Sequence, residues 1–307
     1  MPELLIIGAG PAGLTAAVYA VRRRQDVLLL SPELGGMTRY RPSLPGFEEH
    51  RLIRGGELVS RFINELEYLQ FAHRLASVER LEASGQGFRA RLAGGGTLEA
   101  RAVILATGCT AAPLGVPGER ELFLKGVFGS AASFAHLFLD RRVLVAGDGP
   151  RAGRSAAELA ASGAQVFLVA VGEAAAGSVV PASWAAAAGD RVTLLQGSRL
   201  RAIRGAGSAE EVELEERDGT RGTLRVDAVF AEREPRPNSG LLAPGLAELD
   251  AGGFVRVDSR CRTRRPGLFA AGDVTDVHRE QILVAVGEGA KACLSAMSYL
   301  HRVEEEI

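Results

Sequence analysis

Apolar blocks and glycine turns alternate along this chain in a strand, turn, helix rhythm. Leu4-Leu5-Ile6-Ile7 is an uninterrupted apolar run, as expected of a parallel strand buried on both faces. Gly8-Ala9-Gly10-Pro11-Ala12-Gly13 follows, and Leu14 to Gln25 predicts a helix. Asp26 to Leu30 predicts the next strand. The rhythm returns in mid-chain. Arg142 to Ala146 predicts a strand, Gly147 to Ala152 a turn, about Gly153 to Ser162 a helix, and Val166 to Val171 another strand. Between these blocks, Arg101 to Leu105 is a strand running into the small-residue turn Ala106-Thr107-Gly108. Glu211 to Glu216 and Thr223 to Phe230 alternate as antiparallel strands do. Gly267 to Ala271 predicts a strand ending at Gly272-Asp273, and Gln281 to Leu300 a long apolar helix rich in alanine and glycine.

This order predicts an α/β fold of two Rossmann-like domains, each in three layers. Pro113 and Pro117-Gly118 mark one junction; Pro235, Pro237 and Pro244-Gly245 mark the other. The expected first domain is discontinuous, residues 1–116 and 243–307, with 117–242 inserted as the second.

The first glycine turn carries chemistry. Gly8, Gly10 and Gly13 form G-x-G-x-x-G between a strand and a helix. The first glycine permits the tight turn, the second lets backbone N–H groups approach a pyrophosphate, and the third, with Ala17, lets helix and strand pack closely. The positive end of the helix dipole lies beneath the phosphates. A dinucleotide-binding turn is therefore expected here. Gly147, Gly149 and Ala152 repeat the pattern as a possible nicotinamide-nucleotide site, but Asp148 puts an acid into the turn.

Charge adds exclusions. The 307 residues carry 36 Lys and Arg against 37 Asp and Glu. Nothing in that balance favours nucleic acid or an anionic membrane. No apolar stretch is long enough to span a bilayer, and a cytoplasmic location is expected. The three cysteines, Cys109, Cys261 and Cys293, have neither C-x-x-C nor metal-ligand spacing, so no metal site is expected.

Taken together, Gly8–Gly13, Gly35-Gly36, Ala106-Thr107-Gly108, the second G-x-G-x-x-A and Gly267–Val274 resemble the low-molecular-weight thioredoxin reductase family over essentially the whole chain. The resemblance implies an FAD domain, an NAD(P)H-binding-like domain and a homodimer. It implies that Gly8, Gly10, Pro11, Ala12 and Gly13 cradle the FAD pyrophosphate. Gly35, Gly36 and Met37 would line the ribityl and isoalloxazine region, with Ala106, Thr107 and Gly108 beside the FAD. Gly272-Asp273 would reach a ribityl hydroxyl. Gln281 and Ile282 would open a helix aimed at the pyrimidine edge of the flavin, where reduction leaves negative charge. For the adenosine ribose, Ser31 ends the second strand where an acid is usual. Glu33 is the candidate, with an exposed loop acid as the alternative.

The departures point away from the ordinary family reaction. The family's redox C-A-T-C falls on Ser130-Ala131-Ala132-Ser133, and serine has no disulfide chemistry. The arginines that hold a 2′-phosphate fall on Ala170-Val171-Gly172. Arg151 and Arg154 are possible substitutes or a solvated helix face, and Glu173 a possible ribose ligand favouring NADH. Cys109 is the one cysteine expected near the flavin; His136 and His278 sit in segments that could approach it. The expected function is an FAD-dependent oxidoreductase without the disulfide, passing electrons through flavin N5 to an acceptor or redox protein partner still to be identified. The alternatives are a flavoprotein reduced by ferredoxin or a second flavin, and a non-catalytic flavin-binding protein.

Overall fold

The computed structural model describes residues 2–39, 55–68, 72–147, 149–171, 190–277 and 280–301. It forms two compact units. The first comprises Met1–Arg39, Arg51–Thr110 and Arg236–Ile307, and the described residues of the second lie within Ala111–Pro235. In chain order the first unit opens with β1 (Leu4–Ile7), α1 (Pro11–Arg22) and β2 (Val27–Ser31), then α2 (Gly55–Tyr68) and β3 (His73–Leu75). A meander follows, β4 (Val78–Ser84), β5 (Gly87–Leu92) and β6 (Thr97–Ala100), before β7 (Ala102–Leu105) and β8 (Cys109–Thr110). The second unit runs β9 (Val127–Phe128), α3 (Ala131–Phe134), β10 (Arg142–Gly147), α4 (Pro150–Ala161), β11 (Gln165–Ala170) and β12 (Val192–Leu194). It continues with β13 (Arg199–Arg204), β14 (Glu211–Glu215), β15 (Arg221–Arg225) and β16 (Ala228–Ala231). The chain then returns to the first unit as β17 (Arg236–Pro237), β18 (Leu268–Ala270) and α5 (Ile282–His301).

Among the described residues each unit is built on a five-stranded parallel sheet, in the orders β18-β7-β1-β2-β3 and β12-β11-β10-β16-β9. Strand alternation builds both cores. Leu4 and Ile6 face α1 and α5, while Leu5 and Ile7 face the β4–β6 meander through Leu81, Phe88 and Leu92. In the second unit Val143 and Val145 face α3 and α4, and Leu144 and Ala146 face Leu200, Val212 and Leu214 of β13 and β14. Helices, parallel sheet and a small antiparallel sheet are thus the three layers in each unit.

The departures from expectation have local causes. Both helices that follow the glycine turns start earlier, at Pro11 and Pro150, because proline suits a first turn whose N–H groups have no intrahelical partner. The α1 helix stops at Arg22, after which Arg24 takes φ +57°. The single antiparallel strand expected over Thr223–Phe230 is two strands. β15 pairs antiparallel with β14, whereas β16 pairs parallel with β10. The chain changes sheets at Val226 and Asp227, whose N–H groups reach Glu210 O and Arg142 O. The Ala228–Ala231 run is buried throughout, as a central parallel strand must be. A two-residue antiparallel ladder, β8 with β17, sets the joins between units at Thr110/Ala111 and Pro235/Arg236, rather than after 116 and before 243. Asn238 secures it, donating from Nδ2 to Thr107 O and from its backbone N–H to Gly108 O, and accepting at Oδ1 from the Thr110 hydroxyl.

The helices α1 and α5 meet backbone to backbone. A Cβ on Gly289 would lie 2.1 Å from Ala12 O, whereas one on Gly287, two residues earlier on α5, would meet nothing within 4 Å. Gly289→Ala is therefore expected to destabilise the fold by about 1–3 kcal/mol through overpacking. Gly287→Ala is expected to stabilise it by about 0.5–1 kcal/mol through helix propensity. Thermal melts of the pair check the contrast, and equal shifts would refute it.

Candidate functional site

Parallel pairing brings the C-terminal ends of β1, β2, β7 and β18 to one edge of the first sheet, the edge where open α/β sheets bind ligands. Gly8 follows β1 with φ +103°, and a Cβ there would lie 2.3 Å from Ala106 O. A Cβ on Gly13 would lie 1.8 Å from Gly8 O. These two glycines are packing requirements. Gly10 differs: a Cβ there would meet nothing within 4 Å, so the turn faces open space. Gly10 is the N-cap of α1, no side chain caps that end, and the first turn holds no acid. The result is a bare, positively polarised helix end under an open glycine, which suits a pyrophosphate.

The other expected residues gather around this turn. Gly35 donates its N–H to Ala9 O at 2.8 Å, and Gly36 lies so close that its Cβ would be 3.0 Å from Gly10 Cα. Met37, on the short 3₁₀ turn Gly36–Arg39, is 61% exposed. Ser31 is buried at the end of β2, and Glu33 is exposed just beyond it. Ala106 is buried, Gly108 has φ +68°, and the Thr107 hydroxyl donates to Asn238 O at 2.8 Å. Gly272 has φ +75°, with half-buried Asp273 next to it. Gln281 is exposed just ahead of Ile282, the first residue of α5. Cys109 is half-buried on β8, one residue past Gly108.

Sequence reasoning missed Glu288. This buried acid on α5 accepts the Gly272 N–H at 2.7 Å, and its carbonyl accepts from Cys261 Sγ. It braces the Gly272-Asp273 turn from behind. An isolated acid in an apolar helix was the available signal, since such an acid is rarely buried without a donor.

The second unit repeats the backbone with a different electrostatic lining. A Cβ on Gly147 would lie 2.4 Å from Ala152 Cβ, which explains both small residues. Gly149 is the N-cap of α4. Its space is taken: a Cβ there would lie 3.1 Å from Glu234 Oε1. The same oxygen accepts the Arg151 N–H at 3.3 Å. Arg151, weighed as a phosphate ligand or a solvated side chain, turns inward instead. Its Nε lies 2.6 Å from Glu232 Oε2, and its Nη2 donates to Gly129 O at 3.0 Å. Arg154 stays exposed. Glu232 has 0% side-chain exposure and also accepts the Ala131 N–H at 2.6 Å. Burial pushes its carboxyl above the usual range, against the pull of Arg151.

Ser130 is the N-cap of α3, and its buried Oγ has no hydrogen-bond partner. Ser133 is half-buried on the same short helix, and His136 is exposed on the 3₁₀ turn after it. Ala170 ends β11 and Val171 is buried behind it. Asp148, Gly172, Glu173 and His278 lie outside the described residues.

The Pyridine nucleotide-disulphide oxidoreductase family matches residues 2–289. The chain belongs to that family. It is 33% identical over 304 residues to the thioredoxin reductase of Mycolicibacterium smegmatis, covering 97% of this chain and 96% of that one. It is 31% identical over 314 residues to the F component of the alkyl hydroperoxide reductase of Pseudomonas putida; the match takes in 98% of this chain but spans only 58% of that relative's length. Its fold matches the crystal structure of thioredoxin reductase from Streptococcus pyogenes MGAS5005 with a TM-score of 0.88 at 30% identity, covering 98% of this chain and 99% of that one. The chain thus shares its family and fold with thioredoxin reductases. Among the described residues, no helix is long and apolar enough to cross a membrane.

None of the three cysteines forms a disulfide. Burial pushes the Cys261 thiol up to about 11 and the Cys293 thiol up to about 12. Ellman's reagent at pH 8 is therefore expected to modify about one thiol per folded chain, and none in Cys109→Ala. Rapid modification of a second thiol in the folded protein would contradict this.

Proposed function

We propose that this flavoprotein passes electrons from its flavin directly to an external acceptor, without an internal dithiol relay. The observation that carries the reading is an open first cradle in a chain that has serine at 130 and 133 and no cysteine pair at relay spacing. Bound FAD supplies the two-electron chemistry. The first unit's residues hold and tune it. Gly8, Gly10, Pro11, Ala12 and Gly13 take the pyrophosphate on the α1 N-terminus, and Glu33 is the candidate for the adenosine ribose. Gly35, Gly36 and Met37 border the ribityl and ring region with Ala106, Thr107 and Gly108. Asp273 accepts from a ribityl hydroxyl, while Glu288 keeps the Gly272 turn in place. The α5 N-terminus, with Gln281 and Ile282, stabilises negative charge at the pyrimidine edge of the ring.

Ser130 and Ser133 keep the size of cysteines but supply neither thiolate nor electron storage. The likeness to thioredoxin reductases supports a homodimer working in the cytoplasm with a redox protein as its acceptor.

Electron counting tests the reading. Anaerobic dithionite titration of the FAD-loaded protein is expected to end near two electrons per flavin, because a dithiol–disulfide couple would take up about two more. An end point near four electrons per flavin would contradict it. Reoxidation of the reduced protein by added acceptors then separates an enzyme from a passive flavin carrier.

A further inference from the structure

The chain holds two copies of one glycine turn, and they differ in a way that concerns the electron donor. In the first, the space over the middle glycine is open and no side chain caps the helix behind it. In the second, the Glu234 carboxylate lies over the middle glycine, 3.1 Å from where a Gly149 Cβ would be, and receives the Arg151 N–H at 3.3 Å. That position belongs to the pyrophosphate in a dinucleotide-binding turn: backbone N–H groups at a helix N-terminus, with a glycine permitting close approach.

We propose that Glu234 is a built-in anion that fills the phosphate position of the second glycine turn and keeps a nicotinamide dinucleotide out of it. Arg151, the cation nearest the turn in sequence, is engaged with Glu232 and with Gly129 O. Glu232 lies buried beneath it and is tied to the first N–H of α3. Glu234 is exposed, so it stands at the mouth of the cradle, where an arriving pyrophosphate meets it first. A phosphate placed there would displace the carboxylate from the Arg151 N–H and leave like charges a few ångströms apart. The end of β11 contributes Ala170 and buried Val171, not arginine, next to this turn. The inference concerns the donor and is independent of the missing disulfide, so electron counting and dinucleotide binding can fail separately.

Isothermal titration of NADH and NADPH into the FAD-loaded protein tests it, with Glu234→Gly and Glu234→Gln beside the wild type. Glu234→Gln keeps the side-chain shape, and thermal melting confirms that each variant is folded. Glu158→Gln removes one charge from an exposed position on α4, well past the turn, and serves as the charge control. The wild type and the control are expected to show no saturable binding up to about 1 mM, with both Glu234 variants binding at least one of the two nucleotides about tenfold tighter or more. Micromolar binding by the wild type would overturn the proposal. So would folded Glu234 variants that bind no better than wild type, or a gain in Glu158→Gln equal to theirs.

Discussion

The backbones of the first unit meet with no room for a side chain between them. Gly13 lies against Gly8 O, Gly8 against Ala106 O, and Gly289 against Ala12 O. Those three contacts join β1, α1, β7 and α5 at one point. They bring the bare end of α1, the Ala106–Gly108 turn and the Gly272 turn within reach of a single ligand. Any Cβ at these positions would push the elements apart, and the cradle with them. The close approach of backbones is thus the packing constraint on which the proposed cradle depends.

The second unit repeats this geometry with a different lining. Gly147 and Ala152 reproduce the close packing, and α4 presents its N-terminus as α1 does. What differs is the polar lining from the chain just after β16. Glu232 binds Arg151 and the Ala131 N–H, and Glu234 covers Gly149. One short segment thereby fastens α3, which carries Ser133 and starts just after Ser130, to the helix of the second turn. A dithiol and a nicotinamide site are the two parts a relay enzyme would need here. The chain has serine at one and a carboxylate at the other, while the first cradle stays open.

The sequence made most of the first unit readable because its signals are local. A four-residue apolar run, a G-x-G-x-x-G turn and a proline at the helix start sit within one stretch of chain, and each has one dominant physical reading. The small-residue turns at 106–108 and 272 were legible for the same reason, whereas Gly35-Gly36 came only from the family resemblance. The split of Thr223–Phe230 was not, because alternation over Thr223–Arg225 runs into Ala228–Ala231 without a glycine or proline to mark the change of sheet. The Glu232–Arg151 pair was hidden because its partners are 81 positions apart in sequence. Arg151 at a helix start looks like a phosphate ligand until the buried acid that claims it is located. Glu288 was missed likewise, since its partner is the backbone N–H of Gly272, which no residue type advertises.

Native mass spectrometry of the purified protein with excess FAD, NADH and NADPH tests the central contrast most directly, because it counts dinucleotides on each chain. One retained FAD per chain and no retained nicotinamide nucleotide is the expected result. A chain that carries a nicotinamide nucleotide beside its FAD, or that retains no FAD, would contradict it.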